Sequence, residues 1–524
     1  MSDRSDDEFR ALVQDAAAHR TPGDSTPDAY RPFLTGSWLD DRLARGSVRR
    51  FARWGAPAAV VAIAAATRLI GIDKPDAVVF DETYYVKDAW ATWNLGYESN
   101  WPSDANDQWA AGDPDGYLGT ASFAVHPPLG KWIIGLFEWL GDPSNPYSWR
   151  LGTAIFGILL VIAIMVATWL LLRSVPWATL AGFLLAIDGN GIVMSRVGLL
   201  DGFVAFFALL AFIFVLLDRE WAARTGHLWW RPWLLAAGVA LGADTAVKWS
   251  GLWFAAAFGI YSVVADPNAR RSTWAFIQRA IVNVVLIVPL ALVTYMSTWI
   301  GWFRSDAGYD RHWADQPGNA FTGFFSWLPH SIQSFIHLEQ SIYAYHVGES
   351  RPHDYAAPAW EWLLLIRPTS MYYEGSDYGD PGCTASTCGA SILDIANPLI
   401  WWASVAAAIY LVVRLIRRRE WQVGAVLIAL AGGYLPWLAY PERTIFQFYT
   451  IAFEPYLLIA LVIAARAVLG SPGDERGRRT IGWWTLGIFL ALSVAIAIYF
   501  WPLYTGEVEP YAFIASHWWL PGWR

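Results

Sequence analysis

Residues 78–90, VVFDETYYVKDAW, place two carboxylates side by side, Asp81 and Glu82, just beyond the first apolar stretch of the chain. A carboxylate in such a position can accept the proton of a weak nucleophile such as a hydroxyl. The same pair suits a purely structural part, with Asp81 capping a helix and Glu82 in its first turn. On these residues alone the cap is the commoner role. A second group is FAVHPPLGKW, where His126 and Lys131 flank Pro127, Pro128 and Gly130. The prolines fix an extended approach and the glycine permits a close turn, so both polar side chains are held in set directions at a helix start. That rigidity serves a substrate-positioning pair or merely a stiff lead-in to the helix.

The third group is a set of cations at the ends of apolar stretches: Arg68, Arg150, Arg196, Lys248 and Arg443. At one membrane level they would meet a lipid phosphate, to whose oxygens Arg offers paired donors. For each one the alternative is an interfacial anchor whose charged head snorkels to water. Arg196 with Asp201, in MSRVGLLDG, is better placed for a structural ion pair than for catalysis. Weaker patterns carry less. DPDGY around Asp113 and Asp115 has the composition of a turn. The GNG at 189–191 lacks the strand and helix context of a dinucleotide site.

The elements that must position these residues are membrane spans. The 524 residues are 55% hydrophobic with 34 Trp, and mean hydropathy is +0.31, more apolar matter than one soluble core uses. A net charge of −8 offers no basic footprint for nucleic acid. Apolar runs near the bilayer-spanning length predict about eleven spans, at 51–70, 150–172, 176–190, 199–217, 233–247, 251–265, 279–300, 396–413, 421–438, 446–468 and 481–501. With the N-terminus in the cytoplasm, most of the 37 basic residues and a minority of the 45 acidic ones fall on inside segments, as the positive-inside rule requires. The C-terminus is then external.

KWIIGLFEWLG at 131–141 would invert every later loop if it spanned, so it is expected to lie along the outer interface as an amphipathic helix. Residues 1–50 are polar and mixed in charge and are expected to form a disordered cytoplasmic tail. The remainder divides into an N-terminal catalytic module at 51–300 with an external loop at 71–149, an external loop at 301–395 with a surface helix, and a four-helix region at 396–524. Cys383 and Cys388 are the only cysteines, separated by four residues in that second loop. An oxidising exterior favours a disulfide there over free thiols, and no His cluster supports zinc. Ionisable residues gather in outer loops and span ends instead of mid-membrane positions, which argues against a transporter or channel.

FDE at 80–82, HPPLGK at 126–131, YSWRLGTAIFG at 147–157, SRVGLLD at 195–201 and VKWSGL at 247–252 occur in one order. In that order they resemble the dolichyl or polyprenyl phosphate mannose protein mannosyltransferases, a family with the GT-C membrane fold. WEWLLLIRP at 360–368 and RTIFQFY at 443–449 resemble its C-terminal half, so the likeness covers about residues 60–515. The resemblance implies an all-α polytopic membrane protein with external juxtamembrane helices. It implies mannose transfer from a polyprenyl phosphate carrier to Ser or Thr hydroxyls of secreted or membrane proteins, by a single inverting displacement at the outer membrane face. Asp81 falls on the family's base and Glu82 on its partner, while Arg68 and Arg150 map to cations of the first two spans. Lys248 and Arg443 join them as donor-phosphate ligands. Phosphate is already a good leaving group, so no divalent ion is required. The 301–395 loop is too short for the MIR domain of eukaryotic members, which fits the bacterial branch. Where the family often has His near its C-terminal Arg motif, this chain has Gln447. A GT-C transferase with a lipid or polysaccharide acceptor is the nearest alternative.

Overall fold

The computed structural model of the chain describes residues 50–470 and 475–524. The expected tail at 1–50 lies, but for its last residue, outside the described residues. Every apolar stretch expected to span folds as a helix. In chain order the principal helices are α1 (Ala56–Leu69), α2 (Glu82–Leu95), α3 (Leu129–Leu140), α4 (Pro146–Leu172), α5 (Val175–Ile187), α6 (Asp201–Thr225) and α7 (Pro232–Val247). They continue as α8 (Gly251–Val264), α9 (Thr273–Thr298), α10 (His330–Gly348), α11 (Pro398–Arg418), α12 (Trp421–Tyr434), α13 (Glu454–Leu469) and α14 (Arg476–Thr505). Among the described residues six helices are long and apolar enough to cross a bilayer: α4, α6, α9, α11, α14, and α12 together with the 3-10 turn that follows it. Helices α5, α7 and α8 are apolar but shorter.

Local signals fix where these helices start. Asn145 accepts a hydrogen bond from the Tyr147 amide, with Pro146 as the first helical residue of α4. Asn397 and Pro398 repeat the arrangement at α11. In both cases the side-chain oxygen satisfies an amide that the helix leaves orphaned, and proline loses nothing at that position. Between α7 and α8 the chain breaks at Lys248, which is extended (φ −146°, ψ 146°), and restarts at Gly251. A Cβ on Gly251 would lie 2.5 Å from the Thr245 amide nitrogen. Only glycine lets α8 begin so close to the end of α7, and this break is what presents Lys248.

The core is formed where α6 packs against α4 and α7, α7 against α9, and α11 against α13. Outside this bundle lie α3, which buries Lys131, Ile134 and Glu138 while exposing Trp139 and Leu140, and α10, which packs Phe335, Leu338 and Ile342 against Trp299 and Trp302. The described residues also hold one sheet, a departure from an all-helical chain. Strands β1 (Thr369–Asp377), β2 (Thr387–Asp394) and β3 (Val508–Pro510) form an antiparallel sheet in the order β1-β2-β3. Cys383 and Cys388 are joined by a disulfide across the β1–β2 connection.

Candidate active site

The two adjacent carboxylates separate as soon as α2 begins. Glu82 is fully buried and accepts from four donors: Arg150 Nε at 2.8 Å, Arg150 Nη2 at 2.9 Å, the Gly198 amide at 2.7 Å and the Val79 amide at 2.9 Å. These donors fill the lone-pair sites of a carboxylate. Asp81 makes no side-chain cap bond to α2. It keeps part of its surface open, and loss of hydration pushes its carboxyl up to about 6, with Lys248 opposing and Asp201 adding to the shift. The residue before it, Phe80, has φ 48°, a left-handed conformation rarely held by a bulky side chain. Edge-on contacts with His353, Phe446 and Phe448 at 5.7–5.9 Å between ring centres hold it there. The aromatic cage thus sets the direction in which Asp81 leaves the backbone.

Nearby, a cavity of about 190 Å³ is lined by His126, Asp201, Lys248, His346, Arg443 and Tyr449 among others. Lys248 Nζ donates to Asp201 at 2.7 Å and lies over the rings of Tyr449 and Tyr85 at 5.2 and 5.7 Å. Arg443 stacks on Trp437 at 5.3 Å and donates from Nη2 to His346 Nδ1 at 3.0 Å. His126 stacks on His346 at 4.8 Å, and burial among cations holds its imidazole well below the usual histidine range. The cavity therefore combines two cations with one countercharge. Trp249 and Leu252 are shared with a second and larger space, a groove of about 760 Å³ between α7, α8 and α9. Its walls are almost wholly apolar, including Gly259, Ile260, Val284, Val288 and Leu292. Glu339 of α10 and Tyr295, hydrogen-bonded to each other at 2.8 Å, stand among its lining.

Several expected site residues do not line the cavity, and most of their polar atoms are engaged elsewhere. Arg150 uses all five of its N–H donors: besides Glu82 it donates to the carbonyls of Ile72, Pro75 and Ala77. All five are engaged within the protein, with Glu82 as the ionic partner. Arg68, 1% exposed, donates to Thr67 and to the carbonyls of Leu185, Ala186 and Gly191. It ties α1 to the end of α5 through Nη1 and Nη2, while its Nε makes no hydrogen bond. Lys131 is buried against Glu98 at 2.8 Å and Asp88 at 3.4 Å. The ion pair expected between Arg196 and Asp201 does not form, since Arg196 donates to the carbonyls of Thr67, Ile70 and Gly71 and Asp201 pairs with Lys248. Asp115 and Asp113 do lie in a turn, with the Asp115 amide bonded to Asp113. Gln447 points to the Trp362 carbonyl. Among the described residues no group of three or more His, Cys, Asp or Glu is arranged to hold a metal.

The family model for dolichyl-phosphate-mannose-protein mannosyltransferase matches residues 58–301, and that for the C-terminal four-span region of protein O-mannosyltransferase matches residues 331–523. The polyprenol-phosphate-mannose–protein mannosyltransferase of Corynebacterium glutamicum is 30% identical over 508 residues, 89% of this chain and 93% of that protein. The chain belongs to the protein mannosyltransferase family. The enzyme of the same name from Mycolicibacterium smegmatis is 29% identical over 518 residues, 91% of this chain and 94% of its own. In fold, the protein resembles the S. cerevisiae protein O-mannosyltransferase Pmt1–Pmt2 complex bound to the sugar donor, with a TM-score of 0.70, 15% identity, and coverage of 94% of this chain and 95% of that one.

Three features of this family member escape sequence reasoning: Phe80 as a strained support for Asp81, Tyr449 as a wall for Lys248, and His346 as the acceptor for Arg443. The first adjoins a motif already singled out, and a bulky residue directly before a carboxylate gives no sign of a left-handed backbone. The other two come from segments distant in the chain, and no local spacing points from either to its cation.

Proposed function

We propose that this protein transfers mannose from polyprenyl phosphate mannose to Ser or Thr hydroxyls of proteins outside the cytoplasm; the names of its relatives describe them as polyprenol-phosphate-mannose–protein mannosyltransferases. The observation that carries this is the junction at Trp249 and Leu252 between a cationic cavity and a long apolar groove, a shape suited to a phosphate bearing a polyisoprenoid chain. Lys248 and Arg443 receive the phosphate, His126 walls the pocket, and the groove takes the isoprenoid tail. Asp81, with no cap bond and a raised pKa, serves as base. The acceptor hydroxyl passes its proton to Asp81 as its oxygen bonds to C1. The C1–O bond to phosphate breaks with its electron pair, and the two cations stabilise the charge developing on the leaving oxygen. Configuration at C1 inverts.

All eleven apolar stretches cross the membrane in this reading, the shorter helices being completed by the turns that adjoin them. The N-terminus is cytoplasmic, and α2, α3, α10 and the sheet lie outside. The chain is organised as a catalytic module at 51–300, an external segment at 301–395 and a four-helix region at 396–524. Purified protein given labelled polyprenyl phosphate mannose and a Ser/Thr-rich peptide should mannosylate the peptide. Label in a lipid or polysaccharide acceptor, with none in the peptide, would overturn the assignment of acceptor.

A further inference from the structure

His346 lies on α10, in the external segment, far in sequence from every motif that marks the site. Its two ring nitrogens meet partners of opposite kind. Nε2 is 2.8 Å from the Val125 carbonyl oxygen, which can only accept, and Nδ1 is 3.0 Å from Arg443 Nη2, which can only donate. These partners allow one form of the ring, the neutral tautomer with hydrogen on Nε2 and a lone pair on Nδ1. The face of the ring is stacked on His126 at 4.8 Å. Among the described residues, His346 provides the side-chain acceptor for the Arg443 guanidinium, whose other neighbour is the Trp437 ring.

We propose that His346 is a positioning residue for sugar transfer, which in its neutral Nε2–H form aims the Arg443 guanidinium at the donor phosphate. The proposal rests on the assignment of the cavity around Lys248 and Arg443 to that phosphate. It makes α10 part of the donor site, because one side chain joins the 123–128 segment, α10 and the 440–444 loop.

The surroundings favour the neutral form. Arg443 from the 440–444 loop and Lys248 from the α7–α8 break oppose a positive charge on His346, while His126 from the 123–128 segment, stacked on its face, is itself held toward the neutral form. Asp201 is already paired with Lys248, and Glu349, just beyond α10, favours the charged form, as does the Val125 carbonyl. Burial and these cations push the imidazole down to about 4. Protonation would replace the Nδ1 lone pair with a hydrogen facing Arg443 and release the guanidinium.

Two substitutions separate this role from a tether. In His346→Asn the amide oxygen stands near Nδ1 and retains an acceptor for Arg443, while the bond to Val125 is lost. In His346→Gln the amide nitrogen reaches the Nε2 position and retains the bond to Val125, while the acceptor for Arg443 is lost. The expected result is a donor KM raised about 10-fold in His346→Gln, on the order expected for a lost charged hydrogen bond, with kcat within about twofold of wild type and His346→Asn close to wild type. Wild-type donor KM should also rise toward pH 4 more steeply than in His346→Gln. The reverse order, with Gln native-like and Asn impaired, would make His346 a tether of α10 and overturn the proposal, as would two native-like variants. Arg443→Ala measured alongside tests the underlying assignment. If its donor KM is unchanged, the phosphate lies elsewhere. If it is raised while His346→Gln behaves as wild type, only the positioning role fails. In an Arg443→Ala background, His346→Gln should add less than about twofold, since the group it aims is gone.

Discussion

Replacing Arg150 with alanine separates a ligand from a structural cation. The side chain is fully buried and donates five hydrogen bonds, two to Glu82 and three to the backbone carbonyls of Ile72, Pro75 and Ala77. Glu82 is equally buried and would keep only the Val79 and Gly198 amides. Breaking a buried pair by removing one partner costs about 3–5 kcal/mol, because the remaining charge is left uncompensated. Each orphaned carbonyl adds to this where water does not reach it. The expected outcome for Arg150→Ala is a large fall in unfolding midpoint in detergent, followed by scanning fluorimetry, and loss of activity in proportion to loss of folded protein. Arg150→Lys keeps the charge but cannot form the fork, so it should fall between alanine and wild type. The decisive measurement is donor KM on the folded fraction of a variant at low temperature. An Arg150→Ala protein with a native unfolding midpoint and a greatly raised donor KM would refute the structural role and return Arg150 to the phosphate.

Asp81→Asn should lower kcat by a factor of about 100 to 10,000, the usual cost of losing a general base, with an unfolding midpoint near wild type because the side chain makes no cap bond. The base must be ionised to work. With its carboxyl pushed up to about 6, the rate should climb as pH rises through about 6 and level off above it, and a pH–rate profile in which that limb is absent would count against Asp81. Phe80→Gly relieves a left-handed backbone, a conformation that costs a bulky residue about 1–3 kcal/mol, but removes the ring that the cage holds. Turnover should therefore fall much further than thermal stability, measured on one preparation. Gly259 lines the apolar groove and a Cβ there meets nothing within 4 Å, so Gly259→Leu should fold normally and weaken long-chain donors more than short-chain analogues in competition assays.

The helices were legible because hydropathy is local, and each apolar run predicted from sequence coincides with a helix. The small sheet was not. β2 is buried along nearly its whole length, so TCGASILD lacks the alternation that marks a half-exposed strand. Its neighbour β3 is only three residues long and comes from far along the chain. At the site, FDE was recognisable but the division of labour within it was not. Whether a carboxylate is a base or half of an ion pair depends on what stands opposite, and for Glu82 that partner is 68 positions away. The surroundings of the cations were hidden for the same reason. Arg68, Arg150 and Arg196 resemble Lys248 and Arg443 in sequence, all sitting at the ends of apolar runs. They differ in the number of backbone carbonyls that turn toward them, a property of helix ends meeting in space.

The pairing of β2 with β3 also bears on how the protein is made. Val508, Glu509 and Pro510 pair with Ala390, Gly389 and Cys388, Trp523 donates to the Leu365 carbonyl, and buried His517 bonds to the Tyr499 carbonyl. Residues 508–510 and Trp523, all after α14, thus brace the segment that follows α10. These residues follow α14 in the chain, so every helix through α14 is synthesised before this platform can close. Closure of the sheet is then a docking step that follows α14, and a nascent chain halted shortly after that helix would leave β2 with one unpaired edge.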